Sequence, residues 1–183
     1  MKTTDLFTHY QKEIVPVLMS EFGLKNINAV PKFQKIVLNS GVGEAVKSKE
    51  RMAEIIRDFG IIAGQKPQVR KARVSVSSFS VRKGMDVGLR VTLRGHKMYN
   101  FLQKVTAIVF PRIRDFRGLA LKSFDTVGNY TVAFPEHTLF PDIDMTRVSR
   151  PFGFEMTLVM TSNKKDAKKR LLELIGFPFE KKV

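Results

Sequence analysis

The residues in this sequence that could do chemistry are mostly cations, and they are concentrated in its central third. Between residues 59 and 114, twelve Lys and Arg side chains accompany a single acid, Asp86. The whole chain of 183 residues has a formal net charge of +15. A surface with so few compensating carboxylates repels itself, so the composition favours a polyanionic partner, either a nucleic acid or an anionic membrane surface.

The densest part of this basic region is VRKARVSVSSFSVRKG, residues 69–84, which contains five cations and no acid. Its cations lie towards the two ends, and Val, Ser and Phe fill the middle. The pattern predicts a strand that continues into a protruding basic loop at about 72–84, suited to phosphate contacts. The five cations are Arg70, Lys71, Arg73, Arg82 and Lys83.

A turn with two glycines, NSGVGEAVKS at 39–48, lies between a predicted strand and a predicted helix. Its Gly41-x-Gly43 pair resembles part of a dinucleotide fingerprint. Val46 takes the place of the third glycine, so a nucleotide cofactor is not expected. Because glycine has no Cβ, the backbone around Ser40 and the two glycines can approach a phosphate closely. A purely structural turn is the alternative.

Four groups capable of acid–base chemistry lie in the proline-containing loop FPEHTLFPDIDM, residues 134–145. An enzyme would need a carboxylate pair in a pocket with a positioned partner, and no other motif converges on this loop. We therefore predict no enzymatic activity and no small-molecule substrate. An acidic, apolar loop on so basic a chain can instead dock a basic protein. The four groups are Glu136, His137, Asp142 and Asp144.

The loop PRIRDFRGL, residues 111–119, gathers Arg112, Arg114 and Arg117 around Asp115. These arginines can bind a partner. They can equally satisfy the last carbonyls of a preceding helix or pair with Asp115. Both interpretations remain open at the level of sequence.

Several classes of function are excluded by what the sequence lacks. There is no cysteine, and the three histidines show no ligand spacing, so neither a metal nor a cofactor is expected. No apolar run reaches the roughly 18 residues that span a bilayer. The N-terminus has no signal or transit pattern, which predicts a cytoplasmic protein. The basic residues lie largely on predicted strands rather than on an amphipathic helix, so a membrane role is not expected.

Hydrophobic periodicity predicts four helices. The first, residues 5–22, contains Pro16, which is expected to bend or break it, and Val17 is expected on its apolar face. The third, residues 97–109, is expected to bury Ile108. The second and fourth are expected to run between cap residues, Ser48 to Gly64 and Asn163 to Gly176.

Alternation of apolar and polar residues predicts five strands, of which 86–94 is the clearest. The order of helices and strands predicts an α+β fold with one domain over residues 1–183. Its mostly antiparallel sheet should have helices on one face and an open, basic face on the other. The other four strands are expected at 33–39, 68–74, 130–134 and 154–161.

The open face of this sheet is the candidate binding surface. In the strand 86–94, Arg90, Thr92 and Arg94 alternate with the apolar residues, and Lys35 and Asn39 occupy one side of the strand 33–39. Such a face suits RNA, because cations hold phosphates while amides and hydroxyls reach base edges or 2′-hydroxyls. An ordinary solvated face is the alternative. Gln65 and Lys66 follow the predicted helix cap and can add contacts from that corner.

Taken together, eight collinear motifs resemble one family. The chain is similar to bacterial large-subunit ribosomal protein five, the 5S rRNA-binding ribosomal protein, from about Pro31 to Phe179. It departs from the resemblance in the basic loop, where related sequences usually carry more lysine and this chain has Val74, Ser77 and Ser80. The motifs are LNSGVGEA, AGQKP, KAR with its Ser/Phe-containing basic loop, VTLRG, PRIRDFRGL, KSFD with GNY, FPDID and FPF.

The resemblance implies an α+β fold whose sheet holds 5S rRNA in the central protuberance of the large subunit, beside the large-subunit rRNA there. It carries over Asn39, Gln65, Thr92 and Arg94 as rRNA-binding residues. It also implies that the loop Ala72–Gly84 reaches the P-site tRNA.

Two further segments are implied to meet small-subunit ribosomal protein thirteen in an intersubunit bridge: 111–117, with Arg112, Arg114 and Arg117, and 134–150, with Glu136, Asp142 and Asp144. The predicted tRNA-binding set comprises the five loop cations together with Ser77, Ser78 and Phe79.

Two rival functions remain at this stage. A general RNA chaperone would bind structured RNA through charge alone. A phosphate-handling enzyme would use the Gly41–Gly43 turn.

Overall fold

A computed structural model of the chain describes residues 5–43, 48–114, 116–162 and 164–180. It contains the predicted α+β fold, with four helices and one five-stranded antiparallel sheet in the order β2-β3-β1-β5-β4. The predicted strands are confirmed, although β2 ends three residues earlier than expected. The strands are β1 Phe33–Gly41, β2 Gln68–Lys71, β3 Asp86–Leu93, β4 Tyr130–Phe134 and β5 Phe154–Met160.

Two of the four helices contain a π-helical segment. Helix α1 consists of Leu6–His9, the π-helical Tyr10–Ile14 and Val15–Phe22. Helix α3 consists of Gly95–Lys104, the π-helical Val105–Val109 and Phe110–Arg112. Helices α2, Lys49–Ala63, and α4, Lys165–Ile175, are regular. Short 3₁₀ helices cover Ile27–Ala29, Ser77–Phe79, Leu121–Ser123, His137–Leu139 and Met145–Arg147.

The π segments correct two expectations about the helices. Pro16 does not break α1, because it lies at the start of Val15–Phe22, directly after the widened turn that tolerates a missing N–H donor. A π turn contains more residues than an α turn. A helix that contains both therefore brings residues four positions apart onto the same face. The buried residues are consequently Leu18 instead of Val17 and Val109 instead of Ile108.

The helix ends follow the cap residues that the sequence predicted. The Ser48 hydroxyl accepts a hydrogen bond from the Arg51 backbone N–H at 3.3 Å, which starts α2. Gly64 and Gly176 end α2 and α4 with φ values of +61° and +99°, in the left-handed region that glycine adopts without a Cβ clash. The predicted cap Asn163 lies outside the described residues.

One face of every strand except β2 is buried. Ile36 and Leu38 of β1 alternate with exposed or half-exposed neighbours, as do the buried residues of the other strands. Alternation of this kind places one face of an antiparallel sheet on a core and leaves the other accessible. The buried side chains of the other strands are Leu89, Val91, Leu93, Tyr130, Val132, Phe134, Phe154, Met156, Leu158 and Met160.

The chain forms two compact units. Unit 1 comprises Met1–Ile36, Leu93–Val132 and Thr157–Val183. Its core includes an aromatic group in which Phe7 and Phe33 meet the Tyr99 ring edge-on at centroid distances of 5.0 and 6.2 Å. Within this unit, helix α3 therefore packs against both α1 and the start of β1.

Unit 2 comprises Val37–Thr92 and Ala133–Met156. Its core centres on Phe154 of β5, whose ring lies 5.5 Å from Phe59 of α2 and 5.2 Å from Phe134 of β4. Helix α2 thus covers the buried side of the strands within this unit. Most of the candidate RNA-binding residues belong to unit 2.

Candidate nucleic-acid interface

The outer face of the sheet, opposite the buried side chains, carries the predicted polar residues. In unit 2 it presents Asn39 on β1, Arg90 and Thr92 on β3, and Glu155 on β5. Strand β1 lies between β3 and β5 in the sheet, so these residues occupy three adjacent strands. Asn39 and Glu155 are exposed, while Arg90 and Thr92 are half-buried.

Asn39 is held in place by a neighbour that the sequence analysis did not consider. Its Nδ2–H donates to Oε1 of Glu155 at 2.9 Å. An amide has a second N–H and an acceptor oxygen, so this bond leaves further hydrogen-bonding capacity on Asn39. The alternation of FEMTLVM places Glu155 opposite the core-facing Phe154 and Met156, and this signal could have identified it.

Arg90 has an unsatisfied donor within the sheet. Its Nε is buried and has no hydrogen-bond partner in the described parts of the chain. Two positions further along β3, Thr92 supplies a hydroxyl on the same face. A half-buried guanidinium beside a hydroxyl suits an acceptor-rich ligand such as a phosphate or a base edge.

Lys35 and Arg94 belong to unit 1. Lys35 is half-buried on β1, and Arg94 is exposed at the residue preceding α3. The Arg94 Nη1 lies 3.4 Å from the Gln34 carbonyl oxygen, a long contact that leaves most of the guanidinium donors available.

Ser40 and the two glycines differ in how they face solvent. The Ser40 side chain is buried and its hydroxyl donates to the Gly153 carbonyl at 2.8 Å, so Ser40 can offer a ligand backbone atoms only. Gly41 and Gly43 are exposed, and a Cβ built on either one meets no described atom within 4 Å. Neither has a positive φ. The fold itself therefore gives no reason for glycine at these two positions.

Replacing Gly41 with alanine is consequently expected to leave the free energy of unfolding unchanged or to raise it by about 0.5 kcal/mol, because alanine loses less conformational entropy than glycine. If RNA approaches this backbone, the same change should weaken RNA binding about tenfold, since the new methyl occupies the approach path. Thermal melting and RNA titration of one preparation measure both effects. Unchanged affinity would remove Gly41 from the interface.

Gln65 and Lys66 follow the Gly64 cap of α2, and both side chains are exposed. The Gln65 N–H donates to the Gly60 carbonyl at 3.2 Å, which fixes the corner backbone. Both side chains remain available from this corner.

The basic loop is an extension of the β2–β3 hairpin. The Ala72 N–H donates to the Met85 carbonyl at 2.8 Å, and the Gly84 N–H donates to the Ala72 carbonyl at 2.9 Å. Nearer the tip, Val76 and Val81 form an antiparallel bridge. The predicted protrusion at 72–84 is therefore an ordered hairpin within unit 2.

The tip of this hairpin presents apolar side chains to solvent between the basic ones. Phe79 is 77% exposed and Val74 is 70% exposed. The register of β2 against β3 shifts between Arg70 and Lys71. Exposed apolar residues flanked by cations are typical of a surface that binds a partner. The predicted Ser77, Ser78, Arg73, Arg82 and Lys83 are exposed at or beside this tip.

The two segments predicted to bind protein belong to different units. Arg112, Arg114 and Arg117 are exposed in unit 1. Asp115, the predicted intramolecular partner of these arginines, lies outside the described residues.

In unit 2, Glu136, Asp142 and Asp144 are exposed. Asp144 accepts a hydrogen bond from the Thr146 hydroxyl at 2.7 Å, and this bond and the one from the Thr146 N–H hold the pKa of Asp144 below its usual value. Asp144 therefore carries its charge at neutral pH.

His137 does not join the neighbouring acids. It is fully buried, its Nδ1 accepts from the Phe152 N–H at 3.2 Å, and its Nε2 lies 3.8 Å from Oδ2 of Asp58 on α2. Burial lowers its pKa, against the attraction of Asp58. His137 is therefore assigned a structural role in the core, as a neutral imidazole. In the described ranges no three His, Asp or Glu residues are grouped as a metal site, and no helix there is both long and apolar enough to cross a membrane.

Comparison with known families accounts for nearly the whole chain. Residues 26–82 match the model described as ribosomal protein L5, and residues 86–179 match a second model, which describes the C-terminus of the same ribosomal protein family. The chain belongs to the ribosomal protein L5 family. It is therefore a non-enzymatic structural protein of the large ribosomal subunit, as the resemblance implied.

Curated relatives match over 94% or more of their length. The chain is 49% identical over 172 residues to the large ribosomal subunit protein uL5 of Fervidobacterium nodosum, covering 94% of each chain. It is 46% identical over 181 residues to the protein of that name from Thermosipho africanus, covering 99% of this chain and 100% of the relative. The uL5 of Thermotoga maritima is 48% identical over 172 residues, with 94% of each chain covered.

Proposed function

We propose that this member of the ribosomal protein L5 family binds 5S rRNA through the outer face of its sheet and attaches it to the large-subunit rRNA of the central protuberance. The observation that carries the proposal is the placement of Asn39 on β1 and of Arg90 and Thr92 on the adjacent strand β3, on an accessible face whose opposite side is core. The other proposed rRNA-binding residues are Ser40, Gly41, Gly43, Gln65 and Lys66 in unit 2 and, separately, Lys35 and Arg94 in unit 1.

Each group on this face has a separate task. The half-buried guanidinium of Arg90 and the exposed guanidinium of Arg94 hold phosphates. The Asn39 amide and the Thr92 hydroxyl reach base edges or 2′-hydroxyls, which distinguish folded RNA from a generic polyanion. The packed core behind the strands keeps these groups at fixed spacing, so little side-chain order is lost on binding.

The hairpin at 72–84 is proposed to contact the P-site tRNA. Its cations meet the tRNA phosphates, and the exposed Phe79 offers a face on which a base or ribose can pack. The support is the combination of order in the hairpin backbone with exposure of the tip.

Contact with small-subunit ribosomal protein thirteen is proposed for the exposed acids Glu136, Asp142 and Asp144 and for the arginines at 112, 114 and 117. Charged, exposed side chains suit a bridge that must form and break, because rim charges govern association more than tight affinity.

A salt titration tests the proposal for 5S rRNA. The full chain is titrated with cognate 5S rRNA, tRNA and a scrambled RNA of equal length at several salt concentrations. We expect at least about a hundredfold preference for 5S rRNA that persists at high salt, because polar contacts to folded RNA do not depend on counterion release. Equal affinities that fall together with salt would support the general RNA chaperone instead.

A further inference from the structure

We infer that Glu155 is a positioning residue that orients the Asn39 amide, and that it thereby raises affinity for 5S rRNA while lowering affinity for unrelated RNA. The inference rests on the proposed binding of 5S rRNA by the outer face of the sheet. Glu155 lies on that face in the strand adjacent to Asn39, and both side chains are exposed.

Charge alone argues against an acid at this position. A carboxylate beside Asn39 repels the phosphates that the nearby Arg90 would attract. The partner that the structure gives Glu155 is a neutral amide, at 2.9 Å between Nδ2 of Asn39 and Oε1 of Glu155. The hydrogen bond to Asn39 therefore gives Glu155 a structural role that a freely solvated acid would not have.

That role follows from the chemistry of the two groups. A carboxylate can only accept hydrogen bonds, so it can pair with the Nδ2 end of an amide and not with its oxygen. Glu155 thus selects one of the two orientations of the planar Asn39 amide. The Oδ1 oxygen and the second N–H are then presented in a fixed order, which matches a base edge that carries a donor and an acceptor side by side.

Three variants of the full chain separate orientation from charge. Glu155→Ala removes both the hydrogen-bond partner and the charge. Glu155→Gln removes the charge and keeps a partner that can accept or donate, so it no longer selects one orientation of Asn39. Glu50→Ala removes the charge of an exposed acid in the first turn of α2. Each is titrated with 5S rRNA and with the scrambled RNA at two salt concentrations, and thermal melting verifies the fold.

For Glu155→Ala we expect 5S affinity to fall about tenfold while affinity for scrambled RNA rises about threefold, because a repulsive charge has been removed. Glu155→Gln should raise scrambled-RNA affinity equally and also lower 5S affinity, although by less than Glu155→Ala, because a Gln amide can pair with either end of the Asn39 amide. Glu50→Ala should leave the ratio of the two affinities unchanged. In an Asn39→Ala background, Glu155→Ala should no longer lower 5S affinity.

Several results would overturn the inference. If Glu155→Ala raised both affinities equally, the residue would act through charge alone. If Glu155→Ala still lowered 5S affinity in the Asn39→Ala background, Glu155 would not act through the Asn39 amide. The same conclusion would follow if both Glu155→Ala and Glu155→Gln lowered the melting temperature. If the wild-type chain itself showed no preference for 5S rRNA, the proposed function would fail, and the inference with it.

Discussion

Replacing Gly118 with alanine is expected to lower the free energy of unfolding by about 3 kcal/mol. Alanine would be strained at the φ of Gly118, and its Cβ would overlap with backbone atoms that are held in place. Gly118 has a φ of +107°, and a Cβ there would lie 2.7 Å from the backbone nitrogen of Glu180. Neighbouring hydrogen bonds hold the C-terminal segment in place, with the Leu119 N–H donating to the Pro178 carbonyl at 2.7 Å. Neither backbone segment can shift without losing these bonds.

Gly176→Ala is the matched control. Gly176 has a φ of +99°, yet a Cβ there would meet no described atom within 4 Å. We therefore expect this variant to lose only about 1 kcal/mol, the cost of the left-handed conformation. Denaturant unfolding of both variants compares their free energies of unfolding. The melting temperature of the Gly118 variant should be about 10 °C lower than that of the wild-type chain. Equal losses would mean that close approach of the C-terminal segment contributes nothing.

The sequence predicted strands and helix ends well, because both depend on local rules. Two-residue alternation placed Leu89, Val91 and Leu93 on the buried face of β3, and Ser48 and Gly64 marked the ends of α2 through cap chemistry. The π segments were not predictable in this way. A widened turn has no residue signature, so the periodicity of an ideal α-helix assigned Val17 and Ile108 to the core although both are partly exposed.

The residues of the candidate site were predictable where alternation along one strand places them. Contacts between side chains of neighbouring strands were not predictable. Arg90 and Thr92 lie where the β3 pattern put them, but the hydrogen bond from Asn39 to Glu155 joins residues 116 positions apart and requires the strand order. His137 illustrates the same limit. Its sequence neighbours are exposed acids, while its partner in space is Asp58 on α2.

Neutralising Arg73, Arg82 and Lys83 by substitution with Gln is expected to weaken P-site tRNA binding to assembled ribosomes by about tenfold to a hundredfold and to reduce its salt dependence by about two in log–log slope. All three residues are exposed on the hairpin, and three fewer cations mean three fewer displaced counterions. The hairpin itself should survive, since its Ala72–Met85 and Val76–Val81 hydrogen bonds use backbone atoms.

The same variant should bind 5S rRNA as the wild-type chain does, because the hairpin carries none of the residues assigned to the outer face of the sheet. A control with equal charge loss in unit 1, replacing the exposed Lys25, Lys122 and Lys164 with Gln, should leave tRNA retention unchanged. Dissociation of tRNA from reconstituted ribosomes and titration of the free chain with 5S rRNA measure the two effects.

If both triple variants weakened tRNA binding alike, long-range attraction by net charge would suffice and a contact at the hairpin would not be needed. If 5S binding collapsed in the hairpin variant, the two RNAs would share one surface, and the division between sheet and hairpin would be wrong.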